Sequence, residues 1–219
     1  MFNPQMLQLL LKGVWETLYM TLISTVLAYA LGLPIGVLLV VTAEDGIKPL
    51  APLNRVLGVV VNVFRSVPFL ILMVCVLGVT RFIVGTTIGS TATIVPLVIA
   101  AAPFIGRMIE SSLREVDHGV IEAAQSMGAS NWQLITRVLL PESLPSLITG
   151  AAIATTTVLS YSALAGALGG GGLGAIAINY GYYRYQPDVM WVAVVLLVLI
   201  VQIFQEGGDR LTAACDKRS

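Results

Sequence analysis

Residues 17–43 read TLYMTLISTVLAYALGLPIGVLLVVTA, a run from Thr17 to Ala43 without a single Asp, Glu, Lys or Arg. It exceeds the roughly 20 apolar residues that a helix needs to cross about 30 Å of hydrocarbon. Two more windows are equally free of charge, Phe82 to Gly106 and Ser143 to Tyr183, and two shorter ones run from Ser66 to Thr80 and from Val189 to Gln205. Charge is costly at the bilayer centre, so these gaps mark spans more directly than local propensity does. They predict five spanning helices, near 17–41, 57–79, 86–106, 146–167 and 189–206, in an all-α, multi-pass membrane protein with one transmembrane domain over 1–219.

Composition points the same way. The 219 residues are 57% hydrophobic and only 11% charged, whereas a soluble domain carries about 25% charge. Mean hydropathy is +0.89. The balance of 12 basic against 12 acidic residues leaves no net positive field for nucleic acid, so the bilayer is the expected partner and nucleic acid is not. Cys75 and Cys215 are too few and too far apart for a disulfide framework or a metal cluster. Met1 to Lys12 has no positive charge ahead of its Leu-rich run and no small-residue cleavage site after it, so a cleavable signal peptide is not expected.

The second span contains Arg65, and the step Arg65-Ser66-Val67-Pro68 reads as a helix start, with Gly58 to Phe64 lying shallow and the arginine snorkelling. Pro34, Pro96 and Pro103 punctuate other spans, where neighbouring helices or hydroxyls can satisfy the freed carbonyls. Five spans place the termini on opposite sides. One side collects nine basic residues (Lys48, Arg55, Arg65, Arg107, Arg114, Arg137, Arg210, Lys217, Arg218) and the other three (Lys12, Arg81, Arg184). By the positive-inside rule the amino terminus is outside and the carboxyl terminus cytoplasmic. Tyr180, Tyr182, Tyr183, Tyr185 and Trp191 then form an outer interfacial belt.

Between the third and fourth spans, residues 107–145 hold 8 of the 24 charged residues and the single histidine, His118. In Val120 to Met127, residues Val120, Ala123, Ala124 and Met127 share one face of a helix and Glu122, Gln125 and Ser126 the other. Gly128 permits a turn. Ser130-Asn131-Trp132-Gln133 has capping-box spacing, so a second helix is expected from Ser130, with Trp132, Ile135 and Leu139 as its apolar stripe and Pro141 and Pro145 ending it. Two short amphipathic helices around a glycine suit either docking to a soluble partner or lying on lipid.

Glu122-Ala123-Ala124, then Gly128-Ala129, then Leu140-Pro141 resembles the EAA loop of ATP-binding-cassette importer permeases. The resemblance implies that Glu122, Ala123 and Ala124 contact a cytoplasmic ATPase, that Gly128 with Ala129 forms the bend, and that Leu140-Pro141 returns the chain to the membrane. Gly13 to Leu18, Gly32 to Leu39, Phe64 to Phe69, Ala101 to Ile105, and Tyr161 to Ala163 followed by Gly169 to Gly174 are similar to the permease subunits of methionine importers. That likeness implies the type I ABC importer permease fold in the bacterial cytoplasmic membrane. It also implies a homodimer, two ATP-binding subunits that hold ATP and Mg, and an extracytoplasmic methionine-binding lipoprotein. The cargo would be L- and D-methionine, moved by alternating access. A permease for another small amino acid or solute is the alternative within transport; outside it, a structural or sensory subunit would use the loop only to dock a partner.

Other chemistry finds little support. The glycine tract from Gly166 to Gly174 lacks the Gly-Lys-Ser or Gly-Lys-Thr ending of a nucleotide loop and reads as a flexible or close-packed outer segment, or as tight packing through small residues. His118 has no second His or Cys nearby. Ser160 and Ser162 beside Tyr161 have no base at bilayer depth, which argues against a serine hydrolase. Glu16, Asp188 and Glu206 sit at span ends, so no buried acid offers a proton or sodium site. ATP hydrolysis by a partner meets the energy need, and with no Walker motif in the chain it is expected to be neither an enzyme nor the holder of a cofactor. A pathway lined by Ser160, Tyr161, Ser162, Leu164 and Leu168 is expected from their positions on the fourth span.

Overall fold

The computed structural model describes residues 4–215; Lys217 and Arg218, counted above, lie outside the described residues. Helices, and no strand, make up the regular structure of those residues. Four stretches are long and apolar enough to cross a membrane, and a bent pair supplies a fifth.

Helix α1 (Pro4–Val41) begins well before the expected 17. Its 38 residues rise about 57 Å at 1.5 Å each, more than the hydrocarbon thickness. The extra turns carry Lys12 and Glu16, an i,i+4 pair at 3.6 Å that suits a helix but closes the charge-free window. Helix α2 (Ala51–Ser66) and α3 (Phe69–Cys75) meet at an angle of 105°. Pro68 disfavours helical backbone at Val67, which is extended at φ −82° and ψ 125°. The span expected over 57–79 is therefore a broken pair, continued by the short α4 (Leu77–Val84).

Helix α5 (Ser90–Arg114) is the most buried of the long helices and packs on α1, α2 and α9. It approaches α1 closely because Gly32 and Gly36 face Ala102, Ile105, Gly106 and Ile109. It also runs past the expected end at 106, so Arg107, Glu110 and Arg114 are helical and not loop. Next come α6 (His118–Ser126), α7 (Asn131–Gln133), a π-helical turn (Leu134–Leu139) and α8 (Leu140–Glu142). Helix α9 (Leu144–Ala165) crosses back and ends in a tight 3₁₀ turn, Gly166–Leu168. Helix α10 (Gly172–Ile176), a π-helical stretch (Ala177–Tyr182) and the long α11 (Pro187–Cys215) complete the chain.

Two apolar clusters hold these elements. Met20, Leu97, Ile105, Ile109, Leu113 and Val158 join α1, α5 and α9. Leu10, Leu159, Leu173, Ile176, Val189 and Ala193 join α1, α9, α10 and α11. Large apolar side chains such as Val26 and Ile203 point outward, as expected where lipid replaces water.

Candidate functional site

Helix α6 starts where the Asp117 carboxylate accepts from the Gly119 N–H at 2.6 Å, an N-cap that stabilises a helix start by about 1 kcal/mol. It ends in a Schellman turn. The Gly128 N–H donates to the Gln125 carbonyl and the Ala129 N–H to the Ala124 carbonyl, while Gly128 sits at φ +81°. The expected capping box is present: Ser130 accepts from the Gln133 N–H, and the Gln133 side chain accepts from the Ser130 N–H.

The facing of these helices differs from the expectation. Helix α6 lies on the π-helical turn, with Ile121 packed on the cluster that includes Leu113, Val116 and Leu139 and with Ala124 buried. Val120, Ala123 and Met127 turn outward, Met127 at 83% exposure. Ala124 therefore parts from the apolar group in which it was placed, and being buried it offers no side-chain surface to a partner in this conformation. Trp132 is likewise 72% exposed, and Leu134 with Leu139 forms the buried side of its helix instead. The physical reason is shared: on a helix of two turns the apolar arc is wider than the body can cover. The outcome is an exposed platform of Val120, Ala123, Met127 and Trp132 beside Glu122, held on a buried hinge of Leu113, Val116 and Leu139. Ala129 and Leu140 are half-buried and Pro141 is exposed where the chain re-enters α9.

An ion network behind this platform escaped the sequence reading. Arg107 donates to Glu110 at 2.6 Å and to Asn62 of α2 at 3.1 Å. Arg114 donates to Glu110 at 3.4 Å and to Asp45, in the loop after α1, at 3.3 Å. The i,i+3 and i,i+4 spacing of Arg107, Glu110 and Arg114 was the available signal.

The glycine tract is a close-packed reversal. The Gly172 N–H donates to Glu16 and the Leu173 N–H to Thr17, so two consecutive residues of α1 cap α10. The Gly89 N–H donates to the Gly169 carbonyl, tying the start of α5 to the same turn. Gly169, Gly171 and Gly172 all adopt positive φ, which side chains rarely do.

The proposed pathway residues do not share one surface. Ser160 and Leu164 line an open apolar groove of about 590 Å³ with Leu197 and Val201 of α11. Tyr161 turns away and stacks on Phe69, with ring centroids 4.7 Å apart and planes within 1°. Ser162 is buried and donates to the Leu159 carbonyl, and Leu168 is exposed on the 3₁₀ turn. The i,i+4 pair shares a face and its neighbours do not, as helical geometry requires.

Comparison with known proteins places these features in context. The family described as binding-protein-dependent transport system inner membrane component matches residues 32–211. The chain is 54% identical over 210 residues to a probable D-methionine transport system permease protein of Vibrio cholerae, covering 96% of this chain and 93% of that one. It is 47% identical over 207 residues to the methionine import system permease protein of Bacillus subtilis, with 94% and 93% covered. It overlays on a chain of the MetNI methionine ABC transporter, solved in inward-facing conformations, with a TM-score of 0.97 and 48% identity over 99% of this chain and 100% of the other. A chain of an amino acid ABC transporter, at 20% identity and a TM-score of 0.72, shares the fold.

Proposed function

The chain belongs to the family of binding-protein-dependent transport system inner membrane components, and from that premise we infer that it is the permease subunit of an ATP-driven methionine importer. The observation that carries this reading is the near whole-length match to permeases named for methionine transport, at 54% and 47% identity. Two copies pair around the transport route, and each docks an ATP-binding subunit that holds ATP and Mg. An extracytoplasmic lipoprotein delivers L- or D-methionine. The amino terminus lies outside and the carboxyl terminus in the cytoplasm, as the sorting of basic residues favours.

In this reading the exposed platform on α6 seats in the ATPase, with Glu122, Ala123 and Gly128 at the contact. Ala124, Ala129, Leu140 and Pro141 hold the platform to the membrane helices. Because Ile121 packs on the cluster that holds Leu113 and Leu139, and Ala124 is buried, closure of the ATPases cannot move α6 alone. It displaces the cytoplasmic ends of α5 and α9 together, since packed cores repack between discrete arrangements and do not deform continuously. The Tyr161–Phe69 stack joins α9 to α3 directly after the bend at Val67-Pro68 between α2 and α3, so such a displacement reaches the broken helix.

Uptake of radiolabelled methionine tests the function. A strain lacking its own importer should accumulate label when this chain is expressed with its ATPase and binding protein, and excess unlabelled methionine should abolish the accumulation. Accumulation of another amino acid in preference to methionine would overturn the substrate assignment.

A further inference from the structure

Three hydroxyls of α1, on Thr21, Ser24 and Thr25, are buried with no hydrogen-bond partner among the described residues. Thr21 and Ser24 are wholly buried, and a hydroxyl shut away from water and left unpaired is costly. Other helical hydroxyls in the structure avoid that cost by donating to the carbonyl four residues back, as those of Thr42, Thr80, Thr155 and Thr157 do. The three on α1 do not. Pro96 of α5 leaves an acceptor in the matching condition. It has no N–H, so the Ala92 carbonyl, four residues earlier, lacks its helical donor. Ala92 and Pro96 are both buried, so bulk water cannot supply one. The Thr93 hydroxyl, the nearest on α5 itself, already serves the carbonyls of Gly89 and Gly170.

The packing of α1 on α5 decides which α1 residue stands opposite that carbonyl. A Cβ on Gly171 would lie 2.8 Å from Glu16 Oε2 and 3.7 Å from the Ser90 nitrogen, which sets Glu16 level with Ser90. A Cβ on Gly32 would lie 3.0 Å from the Ala102 carbonyl oxygen, which sets Gly32 level with Ala102. The two helices therefore run parallel, and Thr21, between these anchors, stands opposite residues 91–95. Thr21, Thr25, Ala28 and Gly32 recur three or four residues apart and share one face, and the contacts of Gly32 show that this face meets α5. A helical carbonyl points along the axis toward the residue four places on, so that of Ala92 falls within the stretch opposite Thr21. Ser24 and Thr25 stand nearly one turn further along.

We propose that Thr21 is a positioning residue whose hydroxyl donates to the Ala92 carbonyl freed by Pro96, pinning the outer end of α5 to α1. A hydroxyl from a neighbouring helix is one of the ways in which a proline is accommodated inside a membrane. The pin completes a set of contacts on that end of α5, where the Gly89 N–H donates to the Gly169 carbonyl and the Thr93 hydroxyl to that of Gly170. Past Pro96 the approach of the two helices rests on Gly32 and Gly36 against apolar side chains and backbone.

A double-mutant cycle on the full-length chain tests the pin, with unfolding followed in mixed micelles of rising dodecyl sulfate content. Thr21→Val, which keeps the shape and removes the hydroxyl, should raise the unfolding constant about threefold, the usual effect of losing one hydrogen bond between membrane helices. Thr21→Ser keeps the donor and should match the parent. Pro96→Ala restores a backbone N–H to the Ala92 carbonyl, so in that background Thr21→Val should leave the constant nearly unchanged. Ser24→Ala and Thr25→Val should each have the same effect in both backgrounds. A Thr21→Val variant as stable as the parent, an equal effect of Thr21→Val with and without Pro96, or a loss in Thr21→Ser as large as in Thr21→Val would each overturn the proposal. The comparison of Thr21→Ser with Thr21→Val decides the matter by itself if Pro96→Ala does not fold. Neither readout involves transport, so the outcome is independent of the cargo.

Discussion

The Oε2 atom of Glu16 accepts a 2.8 Å hydrogen bond from the backbone N–H of Gly172, joining positions 156 residues apart. Together with Thr17, which accepts from Leu173 at 2.9 Å, it satisfies two of the donors that the start of a helix leaves open. A carboxylate there also meets the positive end of the helix dipole. Removing the acceptor with Glu16→Ala should destabilise the purified protein by about 1 kcal/mol, the usual cost of a lost cap, whereas Glu16→Gln keeps an acceptor and should lose less. Gly172→Ala is the sharper test, since its backbone is at φ +76° and a Cβ would lie 2.7 Å from the Thr17 hydroxyl. Thermal unfolding in detergent should rank the variants Glu16→Gln, Glu16→Ala and Gly172→Ala in increasing damage.

The turn after α6 isolates a backbone effect. A side chain at Gly128 would meet nothing within 4 Å, so only its φ of +81° opposes substitution. Left-handed backbone costs a residue with a Cβ roughly 1–2 kcal/mol, and asparagine least. Gly128→Asn should therefore keep the copurifying ATPase near wild-type yield, while Gly128→Val, β-branched, should reduce it severalfold. Equal yields from the two variants would mean that the turn does not set the angle of the platform.

Met127 and Trp132 are exposed at 83% and 72%, and truncating them removes no buried contact. Surface changes of this kind usually stay within about 0.5 kcal/mol. The variant Met127→Asp/Trp132→Ala should melt like the parent yet lose ATPase copurification at least tenfold. Undiminished recovery of the ATPase would move the docking surface off this face.

These predictions separate what the sequence made legible from what it did not. Spans were legible because charge in hydrocarbon is costly, and the Ser130–Gln133 capping box because both partners lie within one turn. The start of α1 was hidden by Lys12 and Glu16, which end a charge-free window without ending a helix. Pro68 marked the break but not its 105° angle, which depends on what α2 and α3 pack against. The Glu16 contact joins distant segments, and no local pattern encodes it. The inward turn of Ala124 was likewise not local: α5 and the π-helical turn select which part of a broad apolar arc they cover.

Close approach of α1 and α5 gives a paired test. A Cβ on Gly36 would lie 2.7 Å from the Gly106 carbonyl oxygen and from Ile109, both parts of a packed helix that cannot yield independently. Overpacking of this kind costs about 1–3 kcal/mol, and Gly36→Ala should lower the melting temperature accordingly. A Cβ on Gly78 in α4 would meet nothing within 4 Å, so Gly78→Ala should be neutral or stabilising by roughly 0.5–1 kcal/mol through helix propensity. A melting temperature that falls equally in both variants would mean that contact with α5 is not what opposes a side chain at Gly36, because the unfolded-chain effect of Gly→Ala is stabilising.

Glu110 is the residue on which two arginines converge. Its carboxylate is 11% exposed and accepts from Arg107 at 2.6 Å and Arg114 at 3.4 Å. Breaking a buried pair by removing one partner costs about 3–5 kcal/mol, because the remaining charge is left uncompensated. Arg107 keeps its bond to Asn62 and is 26% exposed, so Glu110→Ala should fall at or below the lower end of that range. Replacing both partners removes the stranded charge, so Arg107→Met/Glu110→Leu should recover a large part of the loss. Strict additivity of the two single variants in thermal unfolding would show that the pair contributes no coupling. Recovery in the double variant would show that the loss in Glu110→Ala comes from the arginine left uncompensated and not from the pair's net contribution.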